Sequence, residues 1–129
     1  MEFIDIYPTI CDEAGLPLPA HLQGKSFSLL LNSPDKNFKD AALSQYPRND
    51  IMGYSLRTDR YRFTSWQRNS DPAKEVEVEL YDHKKDPGEK KNVAGVKEYT
   101  GTIIRHKTLL SKIRGNGRIL KTPNTLHHL

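Results

Sequence analysis

Cys11 is the only cysteine in the 129 residues, so it is the only thiol that could act as a nucleophile. The spacing of Phe3, Tyr7, Ile10 or Cys11, and Ala14 places it on the apolar side of a helix. Its neighbours Asp12 and Glu13 oppose a reactive thiolate, so Cys11 reads as a small buried core residue. A single cysteine also excludes an internal disulfide framework and any cysteine-built zinc site. Five histidines are present: His21, His83, His106, His127 and His128. Asp82-His83 with Asp86 invites a metal, but the chain holds no D-x-[DN]-x-[DN]-G loop and no H-E-x-x-H, and His83 reads as a turn residue. There is no glycine-rich phosphate loop and no G-x-S-x-G elbow. Glu75, Glu77 and Glu79 are read as sharing the wet face of one strand, which is solvation and not an acid/base pair. No catalytic residue and no metal ligand is assigned.

Basic residues are the other chemistry on offer. Residues 84–121 hold eleven Lys/Arg against three acids, whereas the rest of the chain carries a net of −4. Such a stripe suits a sulfated polysaccharide, nucleic acid or an acidic partner, and it also suits a solvated helix face. Under the binding reading, Lys107 and Arg114 are the residues expected to matter. Arg57, Arg60, Tyr61, Arg62, Phe63 and Trp66 interleave bases with aromatics, but no RNP-like glycine cluster accompanies them, which argues against nucleic acid.

The elements that must position these groups follow from periodicity. Residues 2–14 read as a helix with Asp5 as N-cap, Pro8 in its first turn and Gly15 just past its end. A first helix this apolar needs a surface to lie on, and poor solubility is expected while residues 1–40 are present. Residues 16–40 are mostly connection, with a short helix through Leu29–Leu31 capped by Ser26. Strands are expected at 41–46, on either side of Thr58-Asp59-Arg60, and at 76–82, where Val76, Val78 and Leu80 alternate with acids. Asp82 to Asn92 is turn chemistry. Residues 96–114 form an amphipathic helix on Val96, Tyr99, Ile103, Leu110 and Ile113, with its bases outward.

The expected fold class is α+β: a small four-stranded antiparallel sheet packed by a C-terminal helix, preceded by a helix and linker. The boundaries are 1–40, 41–115 and a flexible tail at 116–129. With 36% apolar residues and 28% charged ones, the chain holds no run near the ~18 apolar residues that span a bilayer, so no membrane partner is expected. No secretory signal is legible after Met1.

Several segments in order resemble the C-terminal portion of type I sulfatases of the alkaline-phosphatase superfamily, most closely the iduronate-2-sulfatase branch. They are Asp5-Ile6-Tyr7-Pro8-Thr9-Ile10 with Ala14-Gly15-Leu16-Pro17, then Gln23-Gly24-Lys25-Ser26-Phe27. Ser44-Gln45-Tyr46-Pro47-Arg48 and Met52-Gly53-Tyr54-Ser55-Leu56-Arg57-Thr58 follow, and Tyr61-Arg62-Phe63-Thr64-Ser65-Trp66 continues them. Glu79-Leu80-Tyr81-Asp82 with Asp86-Pro87-Gly88-Glu89-Lys90-Lys91-Asn92 completes the set.

The resemblance implies a family that hydrolyses sulfate esters with a formylglycine made in a C-x-P-x-R motif and a carboxylate-held calcium ion. Cys11 is followed by Asp12-Glu13-Ala14-Gly15 and does not fit that motif. Formylglycine and calcium are therefore expected only in an N-terminal part, and the first helix is expected to belong to that α/β catalytic domain. The chain alone is expected to be inactive, as a truncated product or as a subunit completed by a separately encoded N-terminal domain. The implied substrate of the full-length family is a sulfated sugar such as a glycosaminoglycan, and its members are usually exported or lysosomal. Gln45 and Arg48 are the candidate substrate-binding residues, because an arginine fork suits a uronate carboxylate or a sulfate. Arg57 is read as a hairpin residue pairing with Asp59 or an acid of the next strand.

Overall fold

A computed structural model describes residues 1–115 of the chain. Four strands, β1 (Ala42–Arg48), β2 (Ile51–Arg57), β3 (Tyr61–Arg68) and β4 (Glu75–Asp82), form an antiparallel meander in sequence order. The Thr58-Asp59-Arg60 turn joins β2 to β3, with the Thr58 N–H donating to the Tyr61 carbonyl at 3.0 Å. β1 runs past its expected end, so that Pro47 lies inside it; an edge strand tolerates the missing N–H.

Leu43, Leu56, Phe63 and Leu80 stand opposite one another across all four strands. Leu56, Phe63 and Leu80 are fully buried, and each such side chain contributes about 1.5–3 kcal/mol. The predicted final helix is a 3-10 turn at Lys97–Tyr99 followed by α3 (Thr100–Gly115). Tyr99, Leu110 and Ile113 of its expected stripe are buried in the core beside Met52, Tyr54 and Phe63, while Val96 is exposed. The α+β reading therefore holds: one face of the sheet takes α3. Residues 116–129, expected as a tail, lie outside the described residues.

The bases of α3 do not all face outward as periodicity suggested. Lys107 donates to Glu75 Oε1 at 2.6 Å, and Arg114 donates to Gln67 Oε1 at 2.7 Å while lying over the Tyr54 ring. Glu75 also departs from its expected place. Trp66 pairs with Glu77 but Gln67 pairs with Glu75, so Val76 is an extra residue in a bulge. The bulge turns Glu75 onto the helix face, where it accepts from Ser65 Oγ at 2.8 Å, and leaves Val76 exposed. The three glutamates do not share a face.

The N-terminal region is a 3-10 turn at Phe3–Asp5 followed by α1 (Ile6–Glu13). Asp5 occupies the N-cap position of α1, but its side chain makes no cap bond to that helix and closes the capping box of the preceding turn with Glu2. It is buried instead, accepting from the N–H groups of Glu2 (2.8 Å) and Lys25 (2.9 Å) and from Lys39 Nζ (2.5 Å). Lys39 also reaches Glu2 at 2.6 Å, and the other Glu2 oxygen accepts the outward N–H of Leu43 at 2.8 Å. This chain of contacts clamps the N-terminal turn to the free edge of β1. The short helix α2 is Ser28–Asn32, begun from Phe27 and not from Ser26.

Candidate functional site

The motifs behind the sulfatase resemblance can be traced to specific contacts. Asp5 and Thr9 of the first segment bind the backbone of the second: Asp5 holds the Lys25 N–H, and Thr9 Oγ1 accepts the Phe27 N–H at 2.9 Å. Ser26 Oγ donates to Asp12 at 2.6 Å. Gly24 lies where a Cβ would come 1.8 Å from the Ile4 carbonyl oxygen, a backbone atom that cannot swing aside. Gly24→Ala is therefore expected to cost the docked strap about 1–3 kcal/mol, read as lost hydrogen-exchange protection at the Lys25 and Phe27 amides. Unchanged protection there would refute the close approach.

The later motif is organised by Asp82. Arg60 grips it through two bonds of 2.8 and 2.7 Å, the Tyr99 hydroxyl donates at 3.0 Å and the Lys84 N–H at 3.2 Å. Hydrogen bonding from Arg60 holds the Asp82 carboxyl well below the usual carboxylate range, against burial, which opposes this. His83, read as a turn residue, stands 2.5 Å from Glu89, and Glu89 also binds Arg62. Asp86 accepts the Lys91 N–H at 2.9 Å. Asn92 covers the outer edge of β4, accepting the Leu80 N–H at 3.0 Å and donating to the Val78 carbonyl at 3.3 Å. These residues build a turn and shield an edge strand.

Gln45 and Arg48 are not brought together. An odd separation along β1 sends their side chains to opposite faces. Gln45 lines a groove of about 700 Å³ between β1 and the N-terminal turn, whose other wall is Met1, Phe3, Ile4 and Ile6. Arg48 lies outside that lining, exposed beside the β1–β2 hairpin, where Asn49 takes a left-handed φ of 54°. Arg57 donates to the carbonyls of Thr58 and Tyr61, not to an acid. Cys11 is buried, as expected.

His106 was not singled out by spacing. It is buried between Tyr61 and Phe63, with Nδ1 2.7 Å from the Thr102 carbonyl and Nε2 3.3 Å from Thr58 Oγ1. Its four-residue step from Thr102 and from Leu110 was the available signal. Lys107 and Arg114, the residues on which the polysaccharide reading leaned, are engaged with the sheet. Among the described residues no three His, Cys, Asp or Glu side chains converge as metal ligands. The two buried carboxylates, Asp5 and Asp82, already face cations. The described residues do not fit a calcium site. No helix among the described residues is long and apolar enough to cross a membrane.

The described residues thus form a meander with one helix-covered face, an N-terminal strap clamped to its first edge and an asparagine closing its last, and comparison with known proteins places this layer among the C-terminal parts of sulfatase-type hydrolases. A similar fold occurs in a solved structure described as in complex with its substrate D-glucosamine-2-N,6-O-disulfate. That match has a TM-score of 0.74 at 27% identity and covers 87% of this chain and 23% of the other. Residues 1–116 match the family described as "N-sulphoglucosamine sulphohydrolase, C-terminal", and the chain belongs to it. It is 32% identical over 112 residues to Delta 4,5-hexuronate-2-O-sulfatase of Bacteroides thetaiotaomicron, covering 83% of this chain and 22% of that protein. To arylsulfatase K of Bos taurus it is 34% identical over 106 residues, covering 73% and 18%. The chain thus spans about a fifth of the length of these curated relatives.

Proposed function

We propose that this chain is the C-terminal layer of a sulfuric-ester hydrolase acting on sulfated sugars, of the uronate 2-sulfate type, and that it is inactive by itself. The observation that carries this reading is the match of residues 1–116 to the sulfatase C-terminal family, together with the packing role of most of the resembling motif residues. The named activity of the Bacteroides thetaiotaomicron relative supports the uronate class. Formylglycine, calcium and the proton donor would come from the portion of the relatives that this chain does not match.

The N-terminal face is where such a portion would dock. Phe3 is 92% exposed, and Ile4, Ile6, Tyr7 and Ile10 are exposed around it. A cluster of large apolar side chains held in water marks a missing contact.

The test joins this chain, in cis or as a separate polypeptide, to the Bacteroides thetaiotaomicron relative from which the matching C-terminal fifth has been removed. The joined protein is expected to release sulfate from an unsaturated uronate 2-sulfate disaccharide, and the 129-residue chain alone to release none from that sugar or from an aryl sulfate. Release by the chain alone, or a joined protein that is folded but inactive, would overturn the proposal. Activity restored from separate polypeptides would favour the complementing-subunit form.

A further inference from the structure

The sheet has a second face, opposite α3, on which the resemblance gives a task to Arg48 alone, and the family match gives none to the rows around it. It is ordered in rows by the register: Tyr46, Gly53, Trp66 and Glu77 form one row, and Arg48, Ile51 and Arg68 the next. Ser44, Ser55, Thr64 and Glu79 form a third, beyond which lie Arg57, Arg62 and Tyr81. Ser44, Tyr46, Arg48, Arg57, Arg68 and Glu77 are all exposed.

The Trp66 indole is laid flat by two devices. Gly53 opposite it has no side chain, and a Cβ there would come 2.7 Å from the indole's six-membered ring. On the other side its Nε1–H donates to Glu79 Oε1 at 3.0 Å, and Glu79 also accepts from Tyr81 at 3.3 Å. The result is an aromatic plane lying along the sheet with its ring edge fixed. The exposed phenol of Tyr46 stands two strands away in the same row.

Charge is divided across this face. The acids Glu77 and Glu79 lie on β4. The half made by β1 and β2 carries Arg48 and Arg57 and no carboxylate. The Arg48 side chain has no hydrogen-bond or ion-pair partner among the described residues, and the Arg57 side chain is bound only to carbonyl groups. A flat aromatic with its negative π-face outward attracts the C–H face of a pyranose ring. Asp50 and Glu89 beside these rows are taken up by Arg68 and Arg62. Arg48 and Arg57, one on each side of the Ser44 and Ser55 hydroxyls, are paired with no carboxylate among the described residues and attract acidic substituents. From this geometry we infer a saccharide-binding platform for a uronate- or sulfate-bearing sugar. The ring stacks on Trp66, and its acidic groups point toward Arg48 and Arg57. The inference rests on the sugar-sulfate reading above and adds to it a binding surface centred on Trp66, which meets the groove that holds Gln45 only at Ser44.

Trp66 is the only tryptophan in the chain, so its emission reports the platform directly. The probe is a heparin-derived tetrasaccharide titrated into the dilute 129-residue chain, with the desulfated, carboxyl-reduced tetrasaccharide as neutral partner. A saturable change in Trp66 emission is expected with the first and none with the second. Tyr46→Ala and Arg48→Gln, both at exposed positions, should each weaken binding by about three- to tenfold. Lys97→Gln with Lys112→Gln should leave it unchanged.

Absence of an emission change, equal binding of the neutral sugar, or affinity that follows the two lysines would overturn the platform. So would a Trp66 shielded from iodide quenching in the joined, active sulfatase, because the face would then be an interdomain contact. A joined protein that releases sulfate while Trp66 does not respond refutes the platform alone. A Trp66 response beside a folded, inactive joined protein refutes the sulfatase reading alone.

Discussion

Asp82→Ala is expected to lower the unfolding free energy of the sheet and α3 by about 2–4 kcal/mol, measured by urea melts followed at Trp66. Asp82 is 2% exposed and is the acceptor at which the β2–β3 turn, the end of β4 and the start of the last helix meet. Its removal strands the buried Tyr99 hydroxyl and the Lys84 N–H. The cost stays below the ~3–5 kcal/mol of a fully buried pair, because the Arg60 side chain is 39% exposed and can turn to water. Asp82→Asn keeps the shape and one acceptor and should recover only part of the loss. Full recovery would show that the charge contributes nothing.

The same carboxylate sets a pH dependence. Its folded pKa lies below the unfolded value of about 3.9, so its contribution is complete above that value and is lost as pH falls through the window beneath it. Asp5 acts in the same direction. Burial pushes its pKa up, but the Lys25 N–H, Lys39 and the Glu2 N–H together outweigh this and lower it. Stability should therefore be level near neutrality and decline below about pH 4, less steeply in Asp82→Ala than in the parent. An equal slope would exclude Asp82 as a source.

The second large effect is expected at Asp5. Asp5→Ala leaves the Lys39 ammonium, 7% exposed, with Glu2 as its only remaining carboxylate, and leaves the Glu2 and Lys25 N–H groups without this acceptor. Breaking one side of a buried pair costs about 3–5 kcal/mol. Here the loss should fall on the strap and not on the sheet. No residue before Ala41 belongs to the buried cluster between sheet and α3. Hydrogen exchange should show the Lys25 and Leu43 amides losing protection, while the urea melt followed at Trp66 barely moves. A melt displaced as far as that of Asp82→Ala would mean that strap and sheet unfold as one body.

The contrast between these two aspartates shows how the sequence can be read. Both sit in recognisable motifs, and both look like turn or cap residues by local rules. Asp5 occupies the N-cap position of α1, yet its carboxylate is shared among the local Glu2 N–H and two partners far along the chain, the Lys25 N–H and Lys39. Asp82 closes a turn, but its main partners are Arg60 and Tyr99, from two other elements. Glu75 makes the same point from the sheet. Strict alternation put it in water, and one extra residue at the bulge turned it to the helix. The Trp66–Gly53 pairing was within reach, since the tight turn at 58–60 fixes that register.

What the chain determined by itself is the list and order of its elements, the apolar rows that close the sheet on α3, and its place among sulfatase C-terminal layers. The elements and rows follow from local propensity, side-chain period and turn chemistry, all short in range along the sequence, and the family place from the resemblance of its motifs and the family match. The tertiary structure alone decided which charged groups are buried as partners, that Glu75 turns to the helix at a bulge, and that a flat indole lies between arginines and glutamates on an open face. Each of these depends on which strand lies beside which and in what register, and a one-residue shift reverses the facing of every side chain in a strand.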